Sequence, residues 1–229
     1  MFNARRRNPY TASLRETLAS LFYVHNETGN VYTHIAGFVI FVILAAFDGI
    51  GLPKTAECAR TMFFAGVLAM AAGSSSYHLV RGMSNAFENV YACDLGGTIF
   101  MIALSCYHSA STARMTYTVI ISMLCGLLLL LVPRLVRGAA DLKDNWSLVK
   151  PLFCLHSFRS RTCATQRTLC FGWHFQQTTY GIGVTFMITK WPELRWPDRF
   201  DYWFQSHQIW HVCVVLGALG GREVRLVVC

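Results

Sequence analysis

The segment Ser206-His207-Gln208-Ile209-Trp210-His211 sets two imidazoles four positions apart. On a helix this spacing puts both rings on one face, about 6 Å apart along the axis. Two rings so placed reach one tetrahedral zinc ion. The same pair also suits hydrogen bonding between helices, and HxxxH often arises by chance. A third imidazole, His78, closes one apolar run, and Asp94 opens the next. The short connection between them holds both at one depth. Ser74 lies four residues before His78, on the same helical face. Three protein ligands leave a fourth zinc position for water. Asp94 would accept a hydrogen bond from that water and act as general base, with Ser74 beside it. Each residue also has a plainer reading. His78 suits a snorkelling position at a membrane surface, and Asp94 suits the positive end of a helix dipole. His34, His108 and His174 have no partners at matching spacing and read as packing or interfacial residues.

The elements that carry these residues are apolar. Of 229 residues, 54% are hydrophobic and 14% charged, against about a quarter charged in a soluble domain. A soluble fold of this size must turn a large share of its surface to water. A bilayer removes that requirement. Uncharged runs near the required length of about 20 residues cover Val31–Phe47, Thr61–Val80, Leu95–Ala113, Met115–Pro133, Thr168–Thr189 and Tyr202–Gly221. The pattern predicts an all-α, polytopic membrane bundle. Its cytoplasmic N-terminal segment would cover residues 1–30, the bundle residues 31–221, and a short tail residues 222–229. Within the bundle, a basic stretch at 135–167 reads as a loop or interfacial segment, because its apolar patch Leu148–Phe158 is short and contains Lys150 and Pro151.

The net charge of +8 comes from cations between apolar runs, so they are read as topology-setting loop charges. No base-stacking or phosphate-reading module is present, and no nucleic-acid partner is expected. The nine cysteines form no CxxC pair and suggest neither a disulfide framework nor a thiolate zinc site. The N-terminus lacks the apolar core of a cleavable signal peptide. Arg5, Arg6, Arg7 and Arg15 place it in the cytoplasm. Asn26-Glu27-Thr28 and Asn145-Trp146-Ser147 match the glycosylation pattern but would lie on the cytoplasmic side, unmodified.

Four motifs stand in a fixed order: HNETGNVYTHIAG from His25 to Gly37, SSSYH ending at His78, CDLGGTIFMIALSCY around Asp94, and FDYWFQSHQIWHVCVV from Phe200 to Val215. They resemble the progestin and adipoQ receptor family, which includes adiponectin receptors and haemolysin-III-related proteins. The likeness covers roughly Ser13 to Arg134 and Thr179 to Ala218. It implies a seven-helix membrane protein with a cytoplasmic N-terminus. It also implies zinc on His78, His207 and His211, with a zinc-bound water near Asp94 and Ser74 adjacent. Members act as receptors in lipid and sterol metabolism, and some are linked to ceramide amide hydrolysis.

Two regions depart from the family pattern. The stretch Leu135–Thr178 lacks a clear fifth helix, and the end from Gly220, GGREVRLVVC, differs. The first departure matters physically. With six crossings, His207 would start on the membrane face opposite His78, and the site could not close. Closure needs Leu148–Phe158 to cross or re-enter, so the bundle is expected to have seven helices with a degenerate fifth. Lys190, Arg195 and Arg199, just before the last run, favour the cytoplasmic side and support seven. Three functions fit: a zinc-containing membrane receptor for a lipid, steroid or protein ligand, a zinc-dependent hydrolase of lipid amides, and a structural zinc clip.

Overall fold

Ser13 caps the first helix, α1 (Leu14–Ala19): its Oγ accepts from the Glu16 N–H at 3.3 Å. A 3-10 turn, Ser20–Phe22, follows. The chain is next pinned by a tight turn in which the Thr28 hydroxyl accepts from the His25 N–H at 2.8 Å. The computed structural model describes residues 13–48, 54–81, 94, 96–98, 101, 123, 127 and 167–227. Every regular element among them is helical. The long helices are α2 (Thr28–Phe47), α3 (Lys54–Val80), α4 (Arg167–Thr189) and α5 (Ser206–Val227).

Helix α2 has its polarity inside out. Asn30, His34 and Gly37 face inward, while Phe38, Val39, Ile40, Val42 and Ile43 are exposed. In water such a stripe would be an aggregation surface; in lipid it is satisfied. Thr28–Phe47 has a mean hydropathy of 1.9 and Arg60–Val80 of 1.3. Among the described residues, these are the two helices long and apolar enough to cross a membrane.

Close pairs fix the helix directions. Phe41 of α2 packs edge-on against Phe63 and Phe64 of α3, and Arg60 donates to the Ala45 carbonyl at 2.9 Å. At the other end Glu27 meets His78 and Arg81. Helices α2 and α3 are therefore antiparallel. Helices α2 and α5 run parallel: Gly29 sits against Gln208, Gly37 against Val215, and Asp48 pairs with Arg222. Helices α4 and α5 are antiparallel, with Gly183 at Trp210 and Cys213, and Gly220 at Phe175. A Cβ at Gly183 would lie 2.7 Å from Cys213 Cβ and 2.8 Å from Trp210 Cε3. Only glycine permits that approach, a packing mode common where helices associate in lipid.

The expected runs match these helices, with shifted ends. Helix α2 begins at Thr28 rather than Val31, and α3 begins at Lys54, so Arg60 lies inside it. The last helix starts at Ser206 rather than Tyr202, where Glu193 accepts from the Ser206 N–H at 2.8 Å and also bonds its hydroxyl. It continues past Gly221 to Val227. Arg222 does not end it, because its guanidinium is neutralised by the buried Asp48 carboxylate at the end of α2. Leu95–Ala113, Met115–Pro133 and the basic stretch lie almost wholly outside the described residues, as does the degenerate fifth helix.

Replacing Gly183 with Leu should force α4 and α5 apart and cost about 1–3 kcal/mol. A Cβ at Gly181 would meet nothing within 4 Å, so that position should accept Leu freely. Thermal unfolding of the two variants in detergent checks this: a clear drop is expected for Gly183→Leu alone.

Candidate metal centre

The antiparallel α2–α3 pair and the parallel α2–α5 pair bring three points to one end of the bundle: the start of α2, the end of α3 and the start of α5. His78, His207 and His211 meet there. Each offers one ligand nitrogen, and the three nitrogens lie within 4.8 Å of one another. His78 and His211 are fully buried and His207 partly so. The ring centroids of His78 stand 5.0 Å from His207 and 4.8 Å from His211, and those of His207 and His211 are 4.5 Å apart.

The hydrogen bonds assign the tautomers. Carboxylates and carbonyls only accept. His78 Nδ1 stands 2.8 Å from Glu27 Oε2, so it carries the proton and leaves the Nε2 lone pair free. His211 Nδ1 stands 3.3 Å from the Asn30 carbonyl and 3.4 Å from the Thr33 hydroxyl. That hydroxyl is itself bonded to the Gly29 and Asn30 carbonyls. His211 thus also keeps its Nε2 lone pair. His78 Nε2 and His207 Nε2 face each other at 3.2 Å. Two ligands held at 2.0–2.1 Å from a tetrahedral ion sit about 3.3–3.4 Å apart. The donor set and its spacing fit zinc.

Ser74 and Asp94 are buried beside this cluster. They line a cavity of about 10 Å³ with His34, Thr98, Trp210 and His211, room for about one water. Ser74 hydrogen-bonds to the Asp94 carboxylate, whose Oδ2 has no further partner among the described residues. Asp94, Ser74 and the imidazole of His211 therefore share one small space, closed on its apolar side by Met70 and Val214.

His34 packs against the cluster itself. It is buried, its ring lies 4.1 Å from that of His211, and its Nδ1 has no partner among the described residues. Its place follows from the Asn30–His34 spacing, which puts both residues on the inner face of α2. His174 lies on the exposed side of α4, and His108 lies outside the described residues.

Sequence reasoning also passed over Glu27 and Arg81. Glu27 belongs to the Asn26-Glu27-Thr28 triplet, whose side chains are used for structure: Thr28 in the turn, Glu27 in the core. Glu27 accepts from Asn30 at 2.7 Å and from Arg81 at 2.6 Å, in addition to His78. Burial alone would push its carboxyl up, but Arg81 and then His78 overcome this and hold it well below the usual carboxylate range.

The chain is similar to known proteins along most of its length. The profile of the family described as haemolysin-III related matches residues 22–220. The adiponectin receptor protein of Drosophila melanogaster is 24% identical over 95% of this chain and 54% of its own length. Progestin and adipoQ receptor family member 4 of Homo sapiens is 30% identical over 86% of this chain and 77% of its own. Heptahelical transmembrane protein 3 of Arabidopsis thaliana is 28% identical over 90% and 77%. The chain spans about half the length of several curated relatives it matches, the fly protein among them.

Alanine at position 78 or 211 should strip the purified protein of most of its bound transition metal, whereas His174→Ala should leave the content unchanged. Elemental analysis of the three variants reads this directly.

Proposed function

Because the chain belongs to the haemolysin-III-related family, a family of membrane-integral helical proteins, we propose that it is a zinc-containing receptor of the adiponectin and progestin receptor type, acting in lipid or sterol signalling. The observation that carries this reading is the convergence of three imidazole nitrogens, two of the rings fully buried, where three helices meet. A ligand that shifts α5 against α2 and α3 would change that junction. The zinc would cross-link the helix ends and, when bound, supply a Lewis acid beside the cavity.

Seven crossings with a cytoplasmic N-terminus fit the helix directions. Helix α3 finishes at the end where α5 begins, and α4 starts at the opposite end. These end points call for an odd number of crossings between α3 and α4; the two apolar runs there and a crossing in the basic stretch would bring the total to seven. The name of the Arabidopsis relative agrees. The link before α5, with Lys190, Arg195 and Arg199, supports a cytoplasmic face for the site end.

A second reading, hydrolysis of a lipid amide such as ceramide, is favoured by the cavity shared by Asp94, Ser74 and His211. Here Ser74 would orient the Asp94 carboxylate, and its Oδ2, without a partner among the described residues, would take the proton from an attacking water. A structural zinc clip is the third reading.

Asp94→Asn separates them. A receptor should keep its zinc and its ligand-dependent signalling in this variant, measured by a reporter in cells. Loss of signalling together with loss of fatty-acid release from ceramide by the purified protein would favour the hydrolase. If His78→Ala lowers stability yet changes neither signalling nor turnover, the clip reading stands.

A further inference from the structure

The first turn of α2 holds two of the three imidazoles from behind. Glu27 receives the His78 Nδ1 proton and the Asn30 carbonyl receives that of His211. Glu27 is 3% exposed and has four side-chain partners: His78 in α3, Arg81 just past α3, Asn30 in its own helix, and its neighbour Asn26 at a longer 3.5 Å. A carboxylate in that setting does two things to His78. As an acceptor only, it permits just the tautomer with the proton on Nδ1, so the Nε2 lone pair always faces the cluster. As an anion, it raises the basicity of the ring it holds.

The geometry points to Glu27 as the positioning residue of this metal centre, with Arg81 holding Glu27 in place. This rests on the zinc reading above and adds residues outside the three ligands. Arg81 is suited to its part. Its side chain is 44% exposed, so it reaches the carboxylate from the aqueous edge without itself entering the cluster. Arg81 Nη1 takes Oε1, while His78 and Asn30 share Oε2. The two carboxylate oxygens are thus divided between the anchor and the ligand. Rotation of the carboxylate would break both sets together.

Gln at position 27 is the direct test. Its amide has one acceptor oxygen and one donor nitrogen. If the oxygen faces His78, the nitrogen meets the Arg81 donor. If the nitrogen faces His78, it demands the wrong tautomer. Either way the ligand is less well held. Full-length wild type, Glu27→Gln and Arg81→Gln are purified in nanodiscs. Zinc affinity is measured by chelator competition, the cobalt-substituted proteins give visible spectra, and apo-protein unfolding is recorded alongside. Glu27→Gln should bind zinc about 10–100-fold more weakly with a shifted cobalt spectrum. Arg81→Gln, which leaves Glu27 present, should weaken binding in the same direction by less. A purely structural role would lower apo unfolding temperatures and leave the cobalt spectrum as in wild type. That result, or zinc affinities within about twofold of wild type in both variants, overturns the inference. A wild type that binds no zinc overturns the zinc reading itself, and this inference with it.

Discussion

Imidazoles do not gather tip to tip without a reason. The protons of His78 and His211 are committed outward, to Glu27 and to the Asn30 carbonyl. Their lone pairs therefore point toward each other and toward His207, whose Nε2 is 3.2 Å from that of His78. Lone pairs at that separation repel unless a proton or a cation lies between them. In a buried setting the electrostatic cost is larger than in water. A metal ion bound there would relieve it at three points at once. Most features of the described residues serve to hold this meeting in place. Helix α5 runs parallel to α2, α3 runs against both, Glu193 holds the start of α5, and Asp48 with Arg222 ties the opposite end.

The apolar environment shapes the remainder. Helix α2 turns its branched and aromatic side chains outward and its polar ones inward. Without water, apolar burial cannot drive helices together, so close approach at Gly183 and Gly29 and buried polar contacts do more of that work. The same setting explains why Glu27 needs several partners, since an unpaired buried charge is strongly unfavourable.

Much of this was legible in the residues. The 54% apolar content and the uncharged runs gave the helical membrane class and most of the helix positions. Four-residue spacing gave the His207–His211 face, and the short link from His78 to Asp94 gave the depth of the third imidazole. What escaped was pairing across helices. Arg222 looked like the end of a span because a lone cation is costly in lipid, and only the fold reveals the Asp48 that neutralises it. Glu27 sat in a glycosylation-type triplet before the first run, and nothing local indicates that His78, 51 residues later, donates to it. His34 was passed over because its neighbours on the inner face of α2 are not ligands, while its real neighbour, His211, lies far along the chain on α5.

The central claim is that these three nitrogens share one ion. X-ray absorption at the zinc edge of the purified wild-type protein in nanodiscs tests it most directly. The expected result is about one zinc per chain, with imidazole nitrogens at about 2.0–2.1 Å and light-atom ligation completing the shell. A protein without zinc, or a spectrum dominated by sulfur at about 2.3 Å, would contradict the account.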